Sequence, residues 1–100
     1  MIVIDLGNTN IVIGIYFKKK LKKIFRFNTE KNKKKFKLEF EIFLESNQSI
    51  LSNYNNKLCI LSSVVPSLNI FIKKSFIKRN FKFYIVNAKN IPINTKINYK

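Results

Sequence analysis

The residues best suited to chemistry in this chain lie in one short polar segment near its start, Asp5-Leu-Gly-Asn-Thr-Asn10. Asp5 is the only aspartate among the 100 residues, and it directly follows the β-branched run 2–4. A second apolar run, 11–17, begins immediately after the segment. A carboxylate, a glycine and short amide and hydroxyl side chains at a turn between two strands are suited to holding phosphate groups and a metal ion.

The elements on either side would position these groups. Residues 2–4 predict a buried strand, because three β-branched residues in succession suit a sheet covered on both faces. Gly7 allows the backbone to turn sharply or to approach a ligand closely. Backbone N–H groups of a turn can converge on an anion, and one carboxylate with water and phosphate oxygens can hold Mg²⁺. The same residues would also stabilise an ordinary hairpin turn, so the spacing alone leaves both interpretations open.

Three segments, in order along the chain, resemble the type III pantothenate kinases of the acetate and sugar kinase/Hsp70/actin superfamily. Residues 5–14 resemble the first phosphate motif of that family. Residues 59–66, Cys-Ile-Leu-Ser-Ser-Val-Val-Pro, resemble its second parallel strand. Residues 94–99 resemble the segment whose tyrosine contacts pantothenate. The resemblance therefore extends over the whole chain.

The resemblance implies an α/β fold of the actin-like, ribonuclease-H-like type. Its mixed five-stranded sheet has the element order βββαβαβ, with helices packed on it. The implied reaction is ATP-dependent phosphorylation of pantothenate to 4'-phosphopantothenate, the first step of coenzyme A biosynthesis. The implied cofactors are Mg²⁺ and a monovalent cation, K⁺ or NH4⁺, and the implied protein is a cytoplasmic homodimer.

The resemblance also assigns roles to individual residues of this chain. The implied ATP-binding residues are Asp5, Leu6, Gly7, Asn8, Thr9, Asn10, Ile11 and Val12. Asp5 would hold magnesium, directly or through water. Tyr99 would help to orient pantothenate, although it could equally be an ordinary aromatic residue of the tail.

The chain departs from the family pattern after that tyrosine. In the family a Gly-Ala-Asp-Arg-like segment supplies the catalytic aspartate, and here it would fall beyond Lys100, as would the ligands of the monovalent cation. We therefore predict that residues 1–100 form the N-terminal actin-like ATPase domain without the C-terminal domain, and that the chain alone is inactive. A fragment, a split gene and a decaying reading frame all remain open.

Composition indicates one globular domain. The chain is 46% hydrophobic and 14% aromatic, too apolar for a disordered segment. No apolar run approaches the roughly 20 residues needed to cross a bilayer, and the N-terminus lacks the basic region of a secretory signal. We therefore expect no membrane partner. Cys59 lies in a strand-like run, which predicts a buried thiol.

The net charge of +15 suggests an alternative function. Ten of the 18 lysines fall in residues 18–23 and 31–37, and such patches can neutralise nucleic-acid phosphates. However, Arg26 and Arg79 are the only arginines available for bidentate base contacts. Solvated lysine faces in an AT-rich coding sequence explain the charge better, so we predict no specific nucleic-acid partner. A small basic nucleic-acid-binding domain and a non-catalytic remnant of the kinase remain the alternatives.

The hydrophobic pattern predicts five strands, two helices and a loop. The strands are residues 1–5, 11–17, 20–28, 57–64 and 81–86; the helices are 33–46 and a second that begins at Pro66; the loop is 46–56. In the third strand, Leu21, Ile24 and either Phe25 or Phe27 are expected to pack inward.

Both helices carry an apolar stripe at helical spacing, which predicts packing on the sheet. The two stripes comprise Phe36, Phe40, Phe43 and Leu44, and Leu68, Phe71, Ile72, Ser75 and Phe76. Glu41 is expected to pair with Lys37 one turn earlier.

Overall fold

Five strands and three helices make up the part of the chain that the computed structural model describes, residues 1–52 and 57–86. The strands are β1 (Ile2–Leu6), β2 (Asn10–Phe17), β3 (Lys20–Asn28), β4 (Leu58–Ser63) and β5 (Lys82–Val86). The helices are α1 (Lys33–Ser46), α2 (Gln48–Ser52) and α3 (Pro66–Ile77).

The strands form one mixed sheet in the order β3-β2-β1-β4-β5. The β1–β2 and β2–β3 pairs are antiparallel hairpins, whereas β4 is parallel to β1 and β5 is parallel to β4. The predicted five-stranded mixed sheet with helices is therefore confirmed. Asp5 lies opposite Val12 of β2 and Ser62 of β4, so it occupies the middle of the sheet near the carboxyl end of β1.

Local signals explain where the helices begin. Asn32 precedes α1, and its side-chain oxygen accepts a hydrogen bond from the Lys35 N–H at 3.0 Å, as expected of an N-cap. Pro66 opens α3, where its missing N–H costs nothing. Both predicted helix starts are confirmed.

The hydrophobic core lies between one face of the sheet and helices α1 and α3. Alternate residues of β1 point into it, and the two helical stripes meet them there. The core members from these three elements are Ile2, Ile4, Leu6, Phe36, Phe40, Leu44, Leu68, Ile72 and Phe76. Val3 and Asp5 fall on the opposite face, which no described helix covers. Cys59 is fully buried, as predicted, and burial raises the pKa of its thiol.

The prediction for the interior side of β3 was wrong for two residues. Leu21 and Ile24 lie on the face away from the helices, where they are 37% and 52% exposed, whereas Phe25 and Phe27 pack against the core. A β-bulge opposite Ile15 and Tyr16 of β2 changes the alternation. It places Leu21 and Ile24 on the same face although they are three residues apart.

The segment predicted as a loop contains a short helix. Residues 48–52 form α2, because Leu51 is buried against the core and Ile50 packs beside it. The Leu51 N–H donates to the Asn47 carbonyl at 3.0 Å, so the chain turns again directly after α1. Residues 53–56 of the predicted loop lie outside the described residues. None of the described helices is long and apolar enough to span a membrane.

Glu41 does not pair with Lys37 as predicted. Its carboxylate accepts hydrogen bonds from Ser75 at 2.7 Å and Arg79 at 3.0 Å. The Lys37 ammonium lies instead over the Phe71 ring, 5.8 Å from its centroid. The packing of α1 against α3 thus supplies Glu41 with partners more than 30 positions away, which sequence spacing cannot indicate.

The hydrogen bonds to Glu41 make the stability of the fold depend on pH. Burial alone would raise the pKa of Glu41, but hydrogen bonds from Arg79, Ser75 and Lys78 lower it from 4.5 to about 2. A carboxylate with a depressed pKa stabilises the fold above its unfolded-state pKa, and that contribution is lost as the pH falls through the folded-state value. We expect Glu41→Gln to lower the free energy of unfolding at neutral pH, with the deficit shrinking between about pH 5 and pH 2.

Urea unfolding of both proteins across this pH range measures the deficit. Glu39→Gln is the matched control, because Glu39 is exposed on the same helix and has no ion pair among the described residues. A deficit for Glu41→Gln that stays constant with pH would contradict the prediction.

Candidate phosphate-loop site

Residues 7–9 connect β1 to β2. They are held by one hydrogen bond within the turn and by two hydrogen bonds from Thr29, the residue after β3. The Gly7 N–H donates to the Asn10 carbonyl at 2.9 Å, which closes the turn. Thr29, directly after β3, donates its hydroxyl to the Gly7 carbonyl and its N–H to the Thr9 carbonyl, both at 2.8 Å. Thr29 is only 8% exposed, so its side of these bonds is shielded from water. The two loop carbonyls are therefore fixed in place.

The outward groups of the loop are left available. Asn8, Thr9 and Asn10 are exposed. Within the described residues, the N–H groups of Asn8 and Thr9 have no acceptor. Adjacent backbone N–H groups that lack an acceptor in an exposed, fixed turn can bind an anion such as a phosphate oxygen.

Gly7 is required by space rather than by a left-handed conformation. Its φ is not positive. A Cβ built on it would lie 3.2 Å from the Asn10 carbonyl oxygen, a contact that neighbouring backbone could relieve only by moving. Of the two roles that the sequence offered, the sharp turn is the one observed, because the group that approaches Gly7 is the loop's own backbone. The close approach to a ligand remains a prediction.

Asp5 stands beside the loop on the helix-free face of the sheet. Its carboxylate is exposed, and no lysine or arginine among the described residues forms an ion pair with it. It lines a groove of about 240 Å³ together with Val12. An exposed, unpaired carboxylate at the end of a central strand is free to bind a cation.

The predicted ATP-binding residues do not share one pocket. Asp5 and Val12 line the groove on the helix-free face. Asn8 lines a separate cavity of about 340 Å³ on the helix side. Leu6 and Ile11 are fully buried in the core, so only their backbone could reach a ligand.

The cavity beside Asn8 has a mixed lining that includes two basic side chains and one acidic side chain. Its walls come from the β3–α1 connection and from the beginning of α3; they comprise Thr29, Glu30, Lys31, Lys33, Val65, Ser67 and Leu68. In the part of the chain that the structure describes, no side chain caps the N-terminus of α3. The helix terminus and the two lysines both favour anions, so this side of the loop is also suited to negatively charged groups.

Tyr99, the residue predicted to contact pantothenate, lies outside the described residues.

The donor set at the loop suits a hard cation that keeps most of its water ligands. Within the described residues, no three histidine, cysteine, aspartate or glutamate side chains come together. A metal at Asp5 would have this one carboxylate, with water and ligand oxygens completing its shell. That arrangement fits Mg²⁺, which keeps several waters and needs few protein carboxylates.

The sequence did not identify Thr29 as part of the site. It follows β3 in an unremarkable polar segment, and its partner Gly7 is 22 residues away. The nearest signal is a short hydroxyl residue where a strand ends, which is common at turns. Only the pairing of β2 with β3 brings Thr29 to the loop.

Comparisons with known proteins agree with one another. A family model described as type III pantothenate kinase matches residues 1–100. A type III pantothenate kinase of Listeria welshimeri is 34% identical over 68 residues, which cover 68% of this chain and 26% of the relative. Those of Citrifermentans bemidjiense and Geobacter sp. (strain M21) are each 33% identical over 76 residues, 74% of this chain and 29% of the relative. The chain thus spans little more than a quarter of these relatives. The matches give no support to the nucleic-acid-binding alternative.

Proposed function

The chain belongs to the type III pantothenate kinase family, and we propose that it supplies the phosphate-binding part of an enzyme that phosphorylates pantothenate with ATP. The observation that supports this most directly is the fixed 7–9 loop, whose Asn8 and Thr9 N–H groups have no acceptor among the described residues and which follows the strand that carries the exposed Asp5. The named activity belongs to the relatives, and it is a proposal for this chain because the chain spans about a quarter of their length.

Each part of the loop has a role in this proposal. The N–H groups of Asn8 and Thr9 bind phosphate oxygens and orient the nucleotide, since phosphoryl transfer depends on positioning and charge stabilisation. Asp5 holds Mg²⁺ directly or through water, and a bound Mg²⁺ would neutralise phosphate charge. Gly7, Asn10 and Val12 complete the contact surface, and Leu6 and Ile11 contribute backbone only.

The proposal extends to the fold family and the assembly. Residues 1–100 would be the N-terminal actin-like domain, and a C-terminal domain would supply the catalytic aspartate and the monovalent-cation ligands. The complete enzyme would be a cytoplasmic homodimer that begins coenzyme A biosynthesis, with Tyr99 contacting pantothenate.

The described glutamates support a catalytic base outside this part of the chain. Glu41 and Glu45 both accept hydrogen bonds from Arg79. Glu30 lies 3.8 Å from the Lys35 ammonium and lines the cavity on the helix side, away from the Asp5 groove. The fourth glutamate, Glu39, is exposed on α1 and lines neither the Asp5 groove nor the cavity beside Asn8. None of the four carboxylates lines the Asp5 groove, where it could accept the hydroxyl proton of the substrate.

Two measurements on the 100-residue chain test the proposal. Calorimetric titration should show ATP binding that requires magnesium. A coupled assay for ADP should show no pantothenate-dependent turnover above the blank, because the loss of a general base costs about 10²–10⁴-fold. Absence of magnesium-dependent ATP binding would overturn the phosphate-loop assignment. Turnover well above the blank would show that the chain contains the base.

A further inference from the structure

A cavity of about 280 Å³ lies at the edge of the sheet opposite the 7–9 loop. We call it the rear cavity; its lining includes Gln48, Lys57, Lys78, Arg79, Asn80 and Phe81. Lys57 directly precedes β4, whereas Ser63 at the other end of β4 pairs with Leu6 beside the loop. At about 3.3 Å per residue, roughly 20 Å of strand separates the two ends. A small ligand in the rear cavity therefore does not contact the loop.

The charged side chains that line the rear cavity are cationic. Among the described residues, Lys57, Lys78 and Arg79 line it and no carboxylate does. The side-chain amides of Gln48 and Asn80 belong to the same lining and have no hydrogen-bond partner within the described part of the chain. Ammonium, guanidinium and amide groups all donate hydrogen bonds, and donation from a charged group to an oxyanion is especially strong. The lining is therefore suited to an oxyanion.

The two cations at the end of α3 keep donors that the fold does not use. A guanidinium carries five N–H donors. Arg79 uses three of them, one to the Ser75 carbonyl and one each to the carboxylates of Glu41 and Glu45. Lys78 uses one of its three donors, also to Glu41. Both side chains can therefore hold α1 against α3 and still donate to a ligand.

Lys57 adds a charge that no described carboxylate offsets. Its ammonium forms no ion pair or hydrogen bond within the described residues. Its backbone position is fixed, because its carbonyl accepts a hydrogen bond from the Lys82 N–H at 2.8 Å. Lys57 is thus the cation of the rear cavity with the most to gain from an anion.

The end of α3 does not oppose an anion as an open helix C-terminus would. The negative end of a helix arises from carbonyls that lack partners. Here the Asn80 N–H donates to the Ile77 carbonyl at 2.9 Å, and the Phe81 N–H donates to the Phe76 carbonyl at 3.1 Å. Asn80 has a left-handed conformation, with φ of 69°, which completes this Schellman arrangement. The carbonyls of the last turn are therefore occupied.

We propose that the rear cavity binds a phosphate group, either as free phosphate or at the end of a small phosphate ester, and that Lys57 is its principal charged contact. The donors come from α2, from the start of β4 and from the α3–β5 connection. A tetrahedral oxyanion accepts hydrogen bonds in several directions at once, whereas a carboxylate has only two oxygens. The volume lies just below the usual range of about 300–1,000 Å³ for ligand pockets, so only a small substituent fits beside the phosphate. This site is independent of the proposed nucleotide site.

NMR titration of the ¹⁵N-labelled 100-residue chain with inorganic phosphate, at constant ionic strength, tests this inference. The amide signals of Gln48, Lys57 and Asn80 should shift together with one dissociation constant. Lys57→Gln should weaken this binding by about tenfold, because it removes a charge-assisted hydrogen bond. Lys57→Arg, which keeps the charge, should bind within about twofold of wild type.

Lys82→Gln is the matched control. Lys82 is exposed and its backbone pairs with that of Lys57, but its side chain does not line the rear cavity. Its replacement should therefore change the phosphate affinity by less than about twofold. Equal denaturation midpoints in the absence of phosphate would show that all three variants remain folded. Added phosphate should raise the midpoint of wild type more than that of Lys57→Gln.

The titration separates a built site from the general attraction of a chain with net charge +15 for anions. An equal loss of affinity in Lys57→Gln and Lys82→Gln would indicate that general attraction and overturn the inference. A loss in Lys57→Gln that extends equally to the signals of Asn8 and Thr9 would do the same. The absence of saturable shifts at the rear cavity with about 10 mM phosphate would also overturn it.

Two further ligands identify the bound group. Glycerol 3-phosphate that binds more tightly than inorganic phosphate would support the site and identify an ester as its ligand. Weaker binding of glycerol 3-phosphate than of inorganic phosphate would support the site and identify free phosphate. Succinate, a dianion without a phosphate group, should bind at least about tenfold more weakly than inorganic phosphate. Succinate binding as tight as that of phosphate would overturn the assignment of a phosphate group.

Discussion

Replacing Asp5 with asparagine is expected to abolish magnesium-dependent nucleotide binding while the fold stays intact. The change keeps the shape of an exposed side chain but removes the only carboxylate that, among the described residues, lines the groove beside the loop. Its neighbours in register, Val12 and Ser62, carry no charge that could replace it. Replacing a residue that only hydrogen-bonds to a metal ligand lowers the metal affinity by about 10–100-fold. Loss of the ligand itself should therefore lower the affinity by at least about 100-fold.

Calorimetric titration with ATP, in the presence and absence of magnesium, measures this loss. Glu39→Gln is a suitable control, because it removes an exposed carboxylate from α1 that lines neither the groove nor the cavity beside Asn8. A magnesium-dependent affinity that is unchanged in Asp5→Asn would exclude Asp5 from the site. An unchanged denaturation midpoint would confirm that the substitution acts on binding alone.

The largest effect on stability is expected from Phe40→Ala in α1. Phe40 is 1% exposed, and its ring lies 5.6 Å from that of Phe36, 5.9 Å from that of Phe71 and 6.2 Å from that of Phe76. Truncating a buried aromatic residue typically costs about 3–5 kcal/mol, because apolar contacts are lost and a cavity remains. A domain stabilised by only about 5–15 kcal/mol would lose a large part of its stability.

Denaturant unfolding measures the change, with Leu38→Ala as the control on the same helix. Leu38 is 62% exposed, so its truncation should be close to neutral. If Phe40→Ala is fully unfolded, the milder Phe40→Leu gives a measurable midpoint. A midpoint for Phe40→Ala as close to wild type as that of Leu38→Ala would show that the aromatic stripe does not support the core.

Local patterns predicted most of the secondary structure, and long-range contacts account for the errors. The boundaries of β3 and α1 follow from apolar spacing, and the Asn32 cap in the structure explains why α1 begins where that spacing places it. The inward residues of β3 were misassigned because a bulge depends on the partner strand. Helix α2 was missed because the burial of Leu51 becomes visible only once the core is assembled.

The same distinction applies to the candidate site. The position of Asp5 at the end of a central strand follows from the run of β-branched residues before it, and the strand is confirmed. Two further features depend on the pairing of β2 with β3. Thr29 holds the loop in place, and Arg26 faces the same groove as Asp5. The roles of residues 5–12 in nucleotide binding, and of Tyr99, remain predictions.

The hydrogen bonds from Thr29 determine when during folding the loop takes its final shape. The β1–β2 hairpin joins neighbouring segments and can form early, because closing a short loop costs little entropy. The loop carbonyls of Gly7 and Thr9, however, acquire their partner only when the end of β3 is in place. A partly folded chain with a detached third strand would therefore keep the hairpin and lose the anion-binding geometry. Ligands that need this geometry bind only the completed sheet and thereby stabilise it against unfolding.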